Sequence, residues 1–276
     1  MNLFKSVLNF YLQSSIHVSL AVLCFTIATF LEYDLPLIKS VLGFIFLGTI
    51  TGYNFIKYAG IAGMHHKSLA KNVKLIQLFS FICFAGFLYS MFQISRNVLF
   101  ASLALGLVTV LYVLPFYRKK NLRNFEGLKI YIVAFVWAGV TVLLPWIASE
   151  NNLNTDVFLT FLQRFLWVLV LIIPFEIRDL VYDDLTLGTL PQKLGVSKTK
   201  WVGYLFLLIM IILQGFKAEI HSSYTAFFIV MLLLTAFLVW FSKQKQSVYF
   251  TSFWVEGIPI LWVVLLFFEK YYFFIS

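Results

Sequence analysis

Three carboxylates in one short segment carry the clearest chemical signal in the sequence. Glu176, Asp179 and Asp183 are separated by three and four residues, so a helix would bring them onto one face. Ionised carboxylates at that spacing repel one another and need a compensating cation or access to water. A hard divalent ion with oxygen ligands, above all Mg²⁺, fits this set and usually binds together with substrate phosphates. The alternative is a solvated acidic helix end, paired with Arg178 and with nearby lysines.

The composition indicates which elements must hold this segment. Of the 276 residues, 61% are hydrophobic and 12% are charged, and the mean hydropathy is +0.91. A soluble domain carries about 25% charged residues, and the polar surface here is too small to cover a soluble core. This excludes a soluble enzyme, a secreted disulfide scaffold and a disordered protein. We therefore predict an all-α polytopic membrane bundle, with residues 1–276 forming a single integral-membrane domain.

Nine apolar segments are long enough to be membrane spans when flanking aromatic residues are included. Residues 1–15 precede them and are predicted to form an interfacial helix, because their apolar side chains share one helical face. The nine predicted spans cover residues 16–31, 41–55, 75–92, 98–116, 130–148, 157–175, 201–216, 224–241 and 248–268.

The basic residues predict the orientation of this bundle. Sixteen of them fall before the first span or in even-numbered loops, four lie on the opposite side, and Arg164 is left inside the sixth span. Because basic loops stay cytoplasmic, we predict a multi-pass protein of the cell membrane with its N-terminus in the cytoplasm. The net charge of +9 is explained in the same way, so nucleic acid is not expected as a partner. We expect Arg164 to extend toward the interface.

Glu256 is a second acidic residue within an apolar stretch. A carboxylate at that depth is costly unless it faces the bundle interior or a water-filled cavity. Two interpretations remain open: the last span starts later and Glu256 lies at the interface, or Glu256 lines the same cavity as the aspartates.

The segment after the sixth span resembles a known motif. Arg178-Asp179-x-x-x-Asp183, followed by Gly188-Thr189-Leu190-Pro191 and Leu194-Gly195, is similar to the second aspartate-rich motif of the UbiA superfamily of intramembrane prenyltransferases. Two further segments are similar to that family's fourth and fifth helices. They are residues 111–119, where a Tyr and a Pro precede basic residues, and Trp137-Ala138-Gly139 followed by Leu144-Pro145.

The resemblance implies a nine-helix, UbiA-like fold and a prenyl transfer reaction. A prenyl group would move from a polyprenyl diphosphate to a lipophilic acceptor within the lipid bilayer. By the same resemblance Mg²⁺ would be the cofactor. Asp179 and Asp183 would be its catalytic ligands, with Glu176 as a further ligand. The residues implied to contact the diphosphate are Asn54, Lys57, Arg118, Lys129 and Arg178.

One part of the family pattern is missing. The first aspartate motif would fall at residues 53–62, where Asn54 is kept but the aspartate positions carry Phe55, Tyr58 and Ala62. One of the two metal sites has therefore lost its carboxylates. Either a single Mg²⁺ site remains, with Lys57 supplying charge, or diphosphate ionisation has been lost. The alternatives to a transferase are a terpene cyclase, a non-catalytic isoprenoid-binding protein and a transporter.

Overall fold

The computed structural model describes residues 3–58, 73–114, 127–183, 187–218 and 222–275, and this part of the chain is helical without strands. Two short π-helices interrupt the α-helices, Gly139–Leu143 (the first π-helix) and Phe250–Val255 (the second π-helix). The α-helices are α1 Leu3–Gln13, α2 Ile16–Glu32, α3 Lys39–Tyr58, α4 Val73–Met91, α5 Arg96–Val113, α6 Leu128–Ala138, α7 Leu144–Ala148, α8 Thr155–Asp179, α9 Leu190–Gln214, α10 Ser222–Phe241 and α11 Ile258–Ile275.

The helices confirm the predicted all-α membrane bundle. Eight segments of the described chain are long and apolar enough to cross a bilayer. The pair α1 and α2, bent by 60° at Ser15, provides a ninth when counted as one span. The bend coincides with the boundary predicted between the interfacial helix and the first span.

The seventh span begins earlier than predicted. We expected it at residue 201, but α9 starts at Leu190, where Thr189 and Gln192 form a capping box and Pro191 occupies the first turn. Gly195, with φ of 79°, breaks the helix near its start. The residues between this break and residue 201 are mostly polar, so the hydropathy of the sequence did not predict that the helix starts before residue 201.

The core of the bundle is built around α8. Trp167 is 1% exposed and its ring lies 5.2 Å from that of Phe25 on α2 and 6.0 Å from that of Trp262 on α11. Its Nε1 donates a hydrogen bond of 3.1 Å to Thr235 Oγ1 on α10, which satisfies the one polar atom of the indole. Four helices thus meet at one side chain, and α8 runs through the centre of the molecule.

Arg164 does not extend toward the interface as we expected. Its side chain is 3% exposed, and Nη1 donates a hydrogen bond of 2.8 Å to the carbonyl oxygen of Phe25. The guanidinium also lies 4.1 Å from the centroid of the Phe25 ring. The expectation was wrong because a sequence gives the depth of a residue in a span but not the direction in which its helix faces.

Candidate functional site

The end of α8 presents the predicted carboxylates together. Glu176 and Asp179 lie in its last turn, and Asp183 follows, with its backbone N–H donating to the Asp179 carbonyl at 2.8 Å. Glu176 is buried, whereas Asp179 and Asp183 are partly exposed. The sequence spacing of three and four residues therefore places two carboxylates in the last turn of α8 and the third in a turn that directly follows the helix.

Lys129, at the start of α6, pairs with two of these carboxylates. Its ammonium lies 2.9 Å from Glu176 Oε1 and 3.6 Å from Asp183 Oδ2. The start of α6 is held against the loop after α8, because Gly127 donates a backbone hydrogen bond of 3.0 Å to Leu187. Gly127 has a φ of 69°, and a Cβ there would lie 3.3 Å from the Gly188 carbonyl oxygen, so this close approach favours glycine.

Arg178 holds the remaining carboxylate. Its Nε donates to Asp179 Oδ1 at 2.7 Å and its Nη2 to Oδ2 at 3.1 Å, a bidentate pair. Its Nη1 donates to Thr251 Oγ1, in the second π-helix, at 2.6 Å. Arg178 therefore joins the end of α8 to the last span and fixes the orientation of Asp179.

Two carboxylate oxygens in this group lack a hydrogen-bond donor. Glu176 Oε2 and Asp183 Oδ2 are buried and accept no hydrogen bond in the described part of the chain. Asp183 Oδ2 still faces the Lys129 ammonium at 3.6 Å, which is beyond hydrogen-bond distance. A buried carboxylate oxygen without a donor is costly, which makes Glu176 Oε2 above all a candidate ligand for a cation.

The residues present fit one Mg²⁺ ion but not a fully protein-built cage. In the described ranges no three acidic, histidine or cysteine side chains converge as a metal-binding group. Mg²⁺ needs fewer, since it is commonly held by one or two carboxylates together with substrate phosphates and water. Glu176 Oε2 and Asp183 Oδ2 accept no hydrogen bond, and each Asp179 oxygen keeps a lone pair beyond its bond to Arg178.

Asn54, predicted to contact the diphosphate, makes contacts within the helix bundle. Its Nδ2 donates to the carbonyl of Ser14 and to Ser80 Oγ, both at 2.9 Å, and the residue is 2% exposed. Nearby, Tyr58 donates to the Gln13 carbonyl at 2.8 Å. The end of α3 thus fixes the corner between α1 and α2. Asn54 Oδ1 has no partner in the described chain.

Lys57, one turn after Asn54, contacts the corner between α1 and α2. Its Nζ donates to Ser15 Oγ at 2.9 Å and lies 5.9 Å from the centroid of the Tyr53 ring. It also interacts electrostatically with Glu256, which in turn interacts with Arg178. Lys57 and Glu256 therefore connect α3 and the last span to the end of α8.

Aromatic residues complete this group. Trp137 Nε1 donates to the Tyr53 hydroxyl at 2.8 Å, and Tyr53 interacts electrostatically with Tyr112 and Glu256. Tyr112 interacts in the same way with Lys129. We call the whole set the Asp179 cluster; its members are Tyr53, Lys57, Tyr112, Lys129, Trp137, Glu176, Arg178, Asp179, Asp183, Thr251 and Glu256.

Sequence reasoning identified part of this cluster. It named the α8 carboxylates, Arg178, Lys57 and Lys129, and it left Glu256 undecided. It gave no site role to Tyr53 or Thr251, since tyrosines and threonines are common in spans. Tyr112 and Trp137 were noted only in the segments that resemble the family's fourth and fifth helices. Arg118 lies outside the described residues.

Comparison with solved structures shows the fold of the chain. A UbiA homologue from Archaeoglobus fulgidus bound to GPP and Mg²⁺ superposes with a TM-score of 0.67 at 14% identity, covering 94% of this chain and 98% of the homologue. The same homologue bound to Cd²⁺ gives a TM-score of 0.65 at 13% identity, with 94% and 97% coverage. A structure of digeranylgeranylglyceryl phosphate synthase gives 0.53 at 15% identity, with 95% and 96% coverage. No family sequence profile and no curated protein matches the chain.

Proposed function

We propose that this UbiA-like bundle binds a prenyl diphosphate together with Mg²⁺ at the Asp179 cluster and transfers the prenyl group to a lipophilic acceptor. The observation that carries the proposal is the group of carboxylates at the end of α8, in which the buried oxygens Glu176 Oε2 and Asp183 Oδ2 accept no hydrogen bond from the described chain. Support comes from the fold, since an archaeal UbiA homologue with the same fold has been solved with GPP and Mg²⁺.

The charges of the cluster support a need for metal. Lys129 and Arg178 are already paired with Glu176 and Asp179. A diphosphate carries several negative charges and would be repelled by these carboxylates. A divalent ion held by one or two of these carboxylates would offset this repulsion and stabilise the leaving group as the carbon–oxygen bond breaks.

The chain's own residues would then do three things. Lys57, Lys129 and Arg178 bind the diphosphate oxygens as fixed cations, which favours the separation of charge. Trp137 and Tyr53 present aromatic surface, which attracts the allylic cation that forms. The surrounding apolar helices exclude water, so the cation is captured by the acceptor. Arg118 and Asn54 stay predicted diphosphate contacts.

The experiment measures affinity for geranyl S-thiolodiphosphate, which does not ionise readily, with the chain purified in detergent. We expect binding in Mg²⁺ that a chelator weakens by about tenfold or more, equal to about 1.4 kcal/mol. The double variant Asp179→Asn/Asp183→Asn should lose this metal-dependent binding. Asp34→Asn is the matched control. Asp34 is exposed, and asparagine tolerates the left-handed backbone conformation found at this position.

Two outcomes would contradict the proposal. The first is no affinity in the unmodified chain with or without Mg²⁺. The second is affinity that responds neither to the chelator nor to the double variant, which would favour a non-catalytic isoprenoid-binding protein.

We also propose that the end of the bundle carrying Asp179 faces the cytoplasm of a cell membrane. The support is the excess of basic residues in the loops on that side. Tyr182 and Leu153 are exposed and lie just beyond the two ends of α8. Each can be replaced by cysteine in a separate variant, and the labelling of that cysteine by a membrane-impermeant thiol reagent is measured in intact cells. We expect labelling at position 153 only; labelling at position 182 only would reverse the orientation.

A further inference from the structure

Lys129 bridges two carboxylates at the end of α8. Its ammonium lies 2.9 Å from Glu176 Oε1 and 3.6 Å from Asp183 Oδ2, and it offsets the repulsion between these two acidic side chains. Glu176 and Asp183 are also among the residues that the proposed function assigns to the metal. The same carboxylates therefore serve two cations, one that belongs to the protein and one that comes from outside.

The backbone of Lys129 is tied down, whereas its ammonium is not enclosed. Gly127 donates a hydrogen bond of 3.0 Å to the Leu187 carbonyl and closely approaches Gly188, which joins the start of α6 to the loop after α8. The Lys129 side chain is 22% exposed, compared with 3% for Glu176. Because a lysine ammonium ends a flexible four-carbon stem, it can change partners without any movement of the helix.

Arg178, the other cation paired with a carboxylate of this group, is held differently. It forms a bidentate pair with Asp179, and its Nη1 also donates to Thr251 Oγ1 at 2.6 Å. The bond to Thr251 ties the guanidinium to the last span, whatever else binds to Asp179. The ion pairs of Lys129 are with Glu176 and Asp183 themselves, so its position responds to any other cation that these carboxylates bind.

We propose that Lys129 makes metal binding depend on the diphosphate, by pairing with the carboxylates until both ligands enter and then turning to the diphosphate. The inference rests on the proposed function and concerns the order of binding at the same site. A metal ion alone would share Glu176 and Asp183 with an ammonium and would be repelled by it. A diphosphate offers this ammonium new oxygen acceptors, so the repulsion is relieved when both ligands are present.

This exchange couples two ligands through one side chain. If the diphosphate raises the affinity for metal, the metal raises the affinity for diphosphate by the same factor, typically about 5- to 150-fold. Lys129 has an anionic partner throughout, first the carboxylates and then the phosphate oxygens. The buried carboxylate of Glu176 likewise keeps a cation at each stage, which avoids the cost of an unpaired buried charge.

Equilibrium dialysis of Mn²⁺ tests the inference, because Mn²⁺ takes the same oxygen ligands as Mg²⁺ and is measured directly. The unmodified chain in detergent should bind Mn²⁺ weakly, and inorganic pyrophosphate should raise this affinity about tenfold or more. Lys129→Met should bind Mn²⁺ about tenfold more tightly than the unmodified chain without pyrophosphate, and the further gain from pyrophosphate should be smaller. Lys129→Arg keeps the cation and should behave as the unmodified chain does.

Two further variants and a blank complete the experiment. Lys198→Met is the matched control, since Lys198 is an exposed lysine of α9, and it should bind Mn²⁺ as the unmodified chain does. Lys129→Gln removes the charge but retains a hydrogen-bond donor, so it tests the same prediction if Lys129→Met does not fold. Detergent without protein corrects for Mn²⁺ bound by the micelles.

Three outcomes would overturn the role of Lys129. They are tight Mn²⁺ binding by the unmodified chain without pyrophosphate, no gain in either neutral variant, and an equal gain in Lys198→Met. The proposed function fails separately, when geranyl S-thiolodiphosphate does not bind with Mg²⁺. The Mn²⁺ affinities of the neutral variants are measured without any diphosphate, so they decide whether Lys129 opposes the metal in either case.

Discussion

Two polar clusters lie at opposite ends of α8, and they differ in how fully their buried groups are paired. At the end opposite the Asp179 cluster, Glu32 pairs with Lys217 at 2.6 Å, with side chains only 4% and 1% exposed. Thr160 Oγ1 also donates to Glu32, at 3.3 Å, and the Tyr224 hydroxyl hydrogen-bonds to it. We call this set the Glu32 cluster; with Tyr33, Gln163, Arg164 and Gln214 it ties α2, α8, α9 and α10 together.

The difference separates a structural use of buried charge from a chemical one. In the Glu32 cluster the Glu32 carboxylate has its ion pair and its hydrogen bonds with other side chains of the protein, which is how native structures bury polar groups. In the Asp179 cluster Glu176 Oε2 and Asp183 Oδ2 accept no hydrogen bond from the described chain, and Lys129 approaches Asp183 Oδ2 only to 3.6 Å. A fully paired network holds helices together, whereas an incompletely paired one is prepared for a ligand.

The largest expected effect comes from breaking the Glu32 cluster. Lys217→Met leaves Glu32 buried without its cation, and removal of one partner from a buried pair costs about 3–5 kcal/mol of unfolding free energy. Thermal unfolding in detergent measures this. The double variant Glu32→Gln/Lys217→Met removes the uncompensated charge and should recover much of the loss. A single variant as stable as the unmodified chain would show that the pair is not structural.

Asn54 tests whether a residue near the Asp179 cluster acts as part of the structure. Asn54→Ala removes the hydrogen bonds to Ser14 and Ser80, at an expected cost of about 1–3 kcal/mol in unfolding free energy. Thermal unfolding gives the stability, and affinity for geranyl S-thiolodiphosphate is measured beside it. Loss of affinity with unchanged stability would assign Asn54 to the diphosphate instead of to the α1–α2 corner.

The smallest effect is expected at Lys129, where the protein's cation can be replaced by a metal. Lys129→Met should lower stability by about 1 kcal/mol without metal, because the ammonium is partly exposed and its loss leaves Glu176 unpaired. Mg²⁺ should reverse this loss, since an ion that binds only the folded chain stabilises it. The unfolding midpoint is followed against Mg²⁺ concentration. If Mg²⁺ stabilised Lys129→Met and Lys217→Met equally, the hypothesis that only the Asp179 cluster binds a metal would be wrong.

Much of the fold could be predicted from the sequence, since the span positions depend on local hydropathy. The predicted span 224–241 corresponds to α10, Ser222–Phe241, within two residues. The carboxylate group could also be predicted, because its residues lie within eight positions of one another. These features are local, and local patterns survive in a sequence.

The rest depended on contacts between distant parts of the chain. Asn54 reaches Ser14 and Ser80, which lie 40 and 26 residues away. Arg164 faces the interior because of the rotation of α8, which hydropathy along a uniformly apolar helix does not encode. Glu256 could not be assigned either, because its electrostatic partners Lys57 and Arg178 lie on other helices, far away in the sequence.

The contact between His17 and Phe253 has a consequence for how the molecule is made. These residues are 236 positions apart, and α2 packs directly against α11, so the first span borders the last. During synthesis α2 enters the membrane long before this neighbour exists, with a polar imidazole on the face that will be covered. Long-range closure of this kind is slow. The packing of α2 against α11 therefore forms only after the ribosome has delivered the last span, and until then His17 lacks the Phe253 carbonyl as its acceptor.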